Sequence, residues 1–502
     1  MLLSVEKLRA INTAGISIPS AENLVLPERV LQFGTGVLLR GLPDFYIDQA
    51  NKKGVFNGRV VVVKSTDTGT TDAFEQQNNL YTILTRGFEN GVKVENNSIN
   101  ASISRVLTSQ TQWDSVLTCA ENPLLQIVLS NTTEVGISLT KESIQNNPPA
   151  SFPGKLLAFL YKRYQYFKGA ADAGMVIVPT ELISNNGSLL KSIVLELAEF
   201  NQLEKAFINW LNESNDFCNS LVDRIVPGML AAKEKEAAEK ELGYIDNLMI
   251  MSEPYSLWAI ETSQARSKSI LSFSQVNEGV KLADDIQKFK EIKLRLLNAT
   301  HTFSCGVAIL AGFQTVREAM DANYFRNYVT NLMLQEIRPL LIGNLISEQE
   351  ATTFANNVID RFRNPFIEHK WINISAQFSL KMAMRNLPLI KKHYASNEQE
   401  PKFMLLGFAA YLLFMRSQQT AAGSFQCTIE DSTYIIIDEK AELLFQYWQL
   451  NTTELSIKAI LSEESIWGED LTKIPRFYLD LVKMVLNIKL FNIAQICATL
   501  HA

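Results

Sequence analysis

The stretch "RVLQFGTGVLLRG", Arg29 to Gly41, decides the fold. Its first five residues are a short apolar run of the kind that forms a buried strand, two glycines follow at 34 and 36, and "VLLRG" then opens a helical pattern. In such a strand-turn-helix unit the first glycine permits the tight turn. The second lets the backbone approach a pyrophosphate, and the helix directs its N-terminus at the phosphates. Leu39 stands where the third glycine of a G-x-G-x-x-G turn belongs, so the match is incomplete. An isolated G-x-G is as readily an ordinary strand-to-helix turn.

Working outward, further strand candidates are "RVVVV" (59–63), "LLQIVLS" (124–130) and "GMVIVP" (174–179), separated by helical stretches. That alternation predicts a parallel sheet with crossover helices, and runs rich in Val, Ile and Leu predict strands covered on both faces. From about residue 285 the texture changes to long helical patterns, so the expected organisation is α/β. A Rossmann-like dinucleotide-binding domain over 1–285 precedes a mostly α-helical, substrate-binding domain over 286–502. One helix of the second half is expected to open at Ser347 and Glu350, a capping-box spacing, and to stop near Asn364 before Pro365.

Composition removes several function classes. The chain has 502 residues, 47% hydrophobic and 20% charged, enough to bury a large core. A net charge of -6 with both signs interspersed offers no basic patch, which argues against a nucleic-acid partner. The longest apolar segment, "FMLLGFAAYLLFM" from Phe403 to Met415, falls short of a membrane span and reads as a core helix. With no secretory pattern at the N-terminus, a cytoplasmic location is expected. The five cysteines are scattered and no two of the four histidines have helical metal-site spacing, so metal-free chemistry is expected.

One segment resists a purely structural account. "KLRLLNATH", Lys293 to His301, runs into the apolar "TFSCGVAILAGF". At about 100° per residue Lys293, Asn298 and His301 project at about 0°, 140° and 80°, on one side of a helix shared with Ile292, Leu296, Leu297 and Ala299. A lysine is rarely buried without a partner or a task. Set among Leu294, Leu296 and Leu297, its ammonium would be disfavoured and its pKa of about 10.4 brought towards roughly 7 or 8, where it can act as an acid/base group. A desolvated lysine also suits Schiff-base chemistry, and a snorkelling lysine is the plain structural alternative.

Six stretches in order, "VLQFGTGVLLRG" (30–41), "VLSNTTEVGIS" (128–138), "VIVPTELISNNG" (176–187), "NDFCNSLVDRIVPG" (215–228), "KLRLLNATH" (293–301) and "RFRNPFIEH" (361–369), resemble the polyol-type long-chain dehydrogenases, the mannitol dehydrogenase family, and within it the branch acting on sugar acids. The resemblance implies a metal-independent nicotinamide-dependent oxidoreductase working on a hexuronate ketose; NAD is the expected cofactor, and a monomer or small homo-oligomer the expected assembly. Tagaturonate and fructuronate are not separable by spacing. It implies a catalytic group of Lys293, Asn298, His301 and Asn186, the last in an Asn-Gly turn, with the two asparagines donating to the substrate oxygen. Gly34, Gly36, Asp67, Thr133 and Glu134 are the expected cofactor contacts. After the second strand Asp67 would reach the ribose hydroxyls, or Lys64 would hold a 2′-phosphate. Arg361, Arg363, Asn364 and His369 are the expected substrate contacts, Arg363 clamping the carboxylate. The chain departs from the family's usual third motif, with Thr180 in place of a cysteine and Glu181-Leu182 in place of Asp-Asn, which makes a simple mannitol dehydrogenase less expected.

Overall fold

In the computed structural model, which describes residues 1–12, 14–65, 70–132, 136–396, 399–429 and 431–500, six parallel strands form the central sheet of the first half. They are β1 (Glu28–Phe33), β2 (Arg59–Lys64), β3 (Ile103–Thr108), β4 (Ile127–Ser130), β5 (Val176–Pro179) and β6 (Asp216–Phe217). Their spatial order is 3-2-1-4-5-6, every neighbouring pair parallel. This is the doubly wound dinucleotide-binding topology, whose strand order reverses between β1 and β4. β3 and β6 had escaped the sequence reading. "ISRVLT" mixes polar residues into a strand at one sheet edge, and β6, at the other, is two residues long.

The period of two along each strand accounts for the layers. Leu31, Phe33, Val61, Val63, Val128 and Ile177 point into one apolar core, packed by helices Phe152–Tyr166 and Asn186–Phe200. Val30, Val60, Val62, Ile127, Leu129, Val176 and Val178 point into a second core on the opposite face, which includes helix Pro43–Lys52 and a three-stranded sheet of Ser220–Asp223, Leu257–Glu261 and Val280–Ala283. Both faces being covered, Val, Ile and Leu dominate these strands.

The chain divides into two compact units. The first comprises Met1–Arg86 and Lys93–Ile286; the second comprises Gln287–Ala502 together with the hairpin turn Gly87–Val92. The second unit is mainly helical, with one small antiparallel sheet of Gln418–Gln419, Phe425–Ile429 and Ser432–Ile435. At its centre, helix Thr300–Leu310 packs on Lys402–Phe414, the apolar run read as a core helix. Glycines make the crossing: a Cβ on Gly306 would lie 2.8 Å from the Ala410 carbonyl carbon, and one on Gly407 2.8 Å from the Phe303 carbonyl oxygen. Helix Glu348–Phe362 opens with a full capping box between Ser347 and Glu350 and ends at Arg363, just before Asn364 and Pro365. Among the described residues no helix is long and apolar enough to cross a membrane, and the five cysteines are buried and unpaired.

Candidate active site

The first unit holds a cradle at the strand-order reversal. Gly34, at the end of β1, has φ +126°, outside the range of ordinary L-residues, and a Cβ there would meet Leu39 Cδ1 at 2.9 Å and the Asn131 carbonyl oxygen at 3.1 Å. Gly36 has an ordinary φ of -62° and caps the short helix Val37–Gly41; a Cβ on it would enter open space. Nothing in the chain requires glycine at 36, whereas a phosphate lying against that backbone does. Leu39, in the third-glycine position, is fully buried with its methyl against Gly34. Close packing passes instead to Gly41, whose Cβ would come within 2.8 Å of the Val226 methyl. These features fit a dinucleotide pyrophosphate. Asp67, Thr133 and Glu134 lie outside the described residues, and Lys64 at the end of β2 is buried.

Glu181, which sequence reasoning set aside, braces the rim of this cradle. One carboxylate oxygen accepts from the Thr132 amide and hydroxyl at 2.9 and 3.0 Å, the other from the Ser130 hydroxyl at 3.1 Å, so β5 grips the chain leaving β4. Burial pushes its pKa up, against the pull of those donors.

For Asn186 the structure substitutes another job. Its side chain is fully buried and its amide nitrogen donates to the carbonyls of Pro179, Glu181 and Ser220 at 3.0, 3.0 and 3.2 Å. Its Oδ1 accepts from the Gly187 and Ser220 amides, both at 2.9 Å. An amide so committed has no proton left for a substrate oxygen; it ties β5, the start of helix Asn186–Phe200 and strand Ser220–Asp223 together. Gly187 follows because the backbone at Cys218 passes 2.4 Å from where its Cβ would be.

In the second unit, Lys293 to Ala299 forms a π-helix rather than the α-helix expected. A hydrogen bond from i to i+5 closes each π turn, which brings Lys293 and Asn298 round to the same side one turn apart. Two further π segments, Leu332–Ile337 and Met382–Asn386, pack against it. Side chains bridge it to Met382–Asn386 in both directions: Asn386 donates to the Ala299 carbonyl at 2.9 Å, and Arg295 donates to the carbonyls of Met384 and Arg385 at 3.1 and 2.6 Å. No sequence period announces a π-helix, so this distortion was not legible. Lys293 is half-buried, like Leu294, and the deep positions are Leu296 and Leu297. The half-buried Asn298 side chain makes no hydrogen bond among the described residues.

His301 stacks on Phe362 with ring centroids 4.1 Å apart and meets His369 and Trp371 edge-on at 5.2 and 6.2 Å. The residue as a whole is half-buried, yet its Nε2 is enclosed and has no hydrogen-bond partner. Burial first, then the positive fields of His369, Arg361, Arg385 and Lys381, hold its pKa well below the usual histidine value, so the ring is neutral at pH 7. Of the expected substrate contacts, Arg361 and His369 therefore come together around His301. Asn364 is buried, its Oδ1 accepting from the Phe366 amide at 3.0 Å in a local turn. Arg363 lies elsewhere, its guanidinium 5.0 Å above the Phe88 ring of the hairpin turn. Lys381 and Arg385 are the members of the cluster that sequence reasoning missed; the signal available was a pair of cations four apart in the apolar "FSLKMAMRNLPLI".

Comparison with known proteins agrees with this architecture. Residues 28–271 match the mannitol dehydrogenase Rossmann domain and residues 285–489 the mannitol dehydrogenase C-terminal domain. The chain is 37% identical to an altronate oxidoreductase of Halalkalibacterium halodurans, over 89% of this chain and 88% of the relative. It is 36% identical to that of Bacillus subtilis, over 92% of both. Among solved structures, D-sorbitol dehydrogenase in substrate-free form superposes with a TM-score of 0.79 at 18% identity, covering 99% of this chain and 100% of that one. The Pseudomonas fluorescens mannitol 2-dehydrogenase complex with NAD and D-mannitol superposes with a TM-score of 0.68 at 20% identity, covering 100% and 99%. With two family models spanning both units and these relatives matched nearly end to end, the chain belongs to the mannitol dehydrogenase family and is an oxidoreductase.

Proposed function

We propose that this protein reversibly reduces D-tagaturonate to D-altronate with NAD as its cofactor. The observation that carries the reading is identity of 36 to 37% to altronate oxidoreductases along about nine tenths of the chain. Gly34 and Gly36 hold the pyrophosphate, and Lys64, being buried, is a poor holder for a 2′-phosphate, which favours NAD over NADP. The dinucleotide exchanges the hydride with the substrate carbon; the residues of the chain manage the proton and the charge. Lys293 passes a proton to and from the substrate oxygen. Asn298, whose amide is uncommitted, donates to that oxygen as it gains negative charge, a service worth roughly 3 to 4 kcal/mol for a well-placed donor. His301, neutral and with Nε2 enclosed, fixes a substrate hydroxyl by hydrogen bond rather than by charge.

A spectrophotometric panel tests this: NADH and NADPH, each with tagaturonate, fructuronate and fructose. Oxidation of NADH with tagaturonate at the highest kcat/KM is expected. Preference for a neutral ketose, or for NADPH, overturns the substrate or the cofactor assignment respectively.

A further inference from the structure

The basic cluster around His301 contains two cations that the family resemblance did not supply. Lys381 ends the short helix Phe378–Lys381 and Arg385 lies in the π segment Met382–Asn386 that packs on Lys293–Ala299. The run is pinned at its start, where the Gln377 amide donates to the Ile437 carbonyl at 2.7 Å and the Ser379 amide to Asp438 at 2.7 Å. Arg385 Nη1 comes 3.4 Å from the hydroxyl of Thr302, the residue after His301, and Lys381 Nζ donates to the Ile374 carbonyl at 2.8 Å.

Neither cation has an acid. Both are half-buried, and among the described residues neither forms an ion pair. The carboxylate whose field reaches Lys381 is Asp438, and its oxygens are occupied by the amides of Ser379 and Lys440. Arg361 adds positive field to the same place, acting on both His301 and His369. Half-buried cations crowded together with no carboxylate in contact are unfavourable unless an anion joins them. A guanidinium fork with an ammonium four residues away suits a carboxylate, and the enclosed Nε2 of His301 beside them suits a neighbouring hydroxyl.

We propose that Lys381 and Arg385 receive the carboxylate of the substrate and set the preference for a sugar acid over a neutral sugar, the place first expected of Arg363. The inference rests on the sugar-acid reading above. Arg363 is occupied with the hairpin turn, over Phe88.

The test uses the full-length enzyme with NADH. Wild type is first assayed on tagaturonate; absence of turnover overturns the functional reading, and the carboxylate assignment with it. Given turnover, Arg385→Gln and Lys381→Met should each raise KM for tagaturonate by about 10- to 100-fold while changing kcat less than about threefold. Arg363→Ala should leave KM within about threefold. Added guanidinium should restore part of the lost affinity in Arg385→Ala, which a merely structural role does not allow. Should Arg385→Gln fail to fold, Arg385→Lys, which keeps the charge without the fork, should still raise KM. Unchanged KM in folded Lys381 and Arg385 variants, with a large rise in Arg363→Ala, overturns the proposal and returns the carboxylate to Arg363.

Discussion

Replacing Asn186 by alanine separates architecture from chemistry. The substitution removes a fully buried amide that serves five backbone groups. Two of the carbonyls keep another donor: Pro179 retains the Ser220 hydroxyl and Glu181 the Ile183 amide. The Gly187 and Ser220 amides lose their acceptor in a site closed to water, and an orphaned buried donor costs about 1 to 3 kcal/mol. Two of them make about 4 kcal/mol, on the order of a thousandfold in the equilibrium for opening this region. Hydrogen-exchange mass spectrometry reads that directly: amides over 176–190 and 216–223 should lose protection by about this factor where exchange follows cooperative opening. Asn298→Ala is the counterpart. Its amide holds no structure together, so protection should stay at the wild-type level while kcat falls by about 10²- to 10³-fold. Were Asn186→Ala to keep its protection and lose kcat instead, the structural assignment of its amide would be wrong and the original expectation of a catalytic asparagine right.

Lys293→Ala should bind NADH with wild-type affinity in a fluorescence titration yet lose about 10²- to 10⁴-fold in kcat, as removal of an acid/base group does; normal turnover would exclude the lysine from proton transfer. Gly36→Val should leave the melting temperature within a few degrees and weaken NADH binding at least about tenfold, because its side chain enters space that only the cofactor needs. Asp44, buried beneath the glycine turn and hydrogen-bonded to Gln32 at 3.3 Å, has its pKa raised from 3.8 to about 7, mainly by burial. Folding then favours the protonated form: this group's contribution is intact below about pH 4 and is lost as pH rises through 7, by about 4 kcal/mol at 1.36 kcal/mol per unit. Asp44→Asn should therefore gain on wild type between pH 5 and 8 in urea titrations, and an identical pH profile in the two proteins would refute the burial argument.

Strands with both faces buried carry their own signature in Val and Ile, so β1, β2, β4 and β5 could be read directly; β3 and β6, lying at the two sheet edges, could not. Ser347 and Glu350 marked a helix start because capping is local chemistry, three residues wide. The site resisted for the opposite reason. Whether an amide is spent, as in Asn186, or available, as in Asn298, depends on backbone groups tens of residues away. The same holds for the cation pair at 381 and 385, whose meaning comes from His301 across a packed helix.

The two glycines at the helix crossing have a bearing on catalysis although no substrate approaches them. Gly306 lies on the helix that continues directly from the π segment bearing Lys293 and Asn298, and at the crossing its neighbour is bare main chain, with no side chain to deflect. A single methyl at 306 or 407 forces one rod to retreat from the other, and a displacement of about 1 Å at the reacting groups costs on the order of a hundredfold in rate. The crossing thus acts as a spacer gauge, and its tolerance is the thickness of a hydrogen atom.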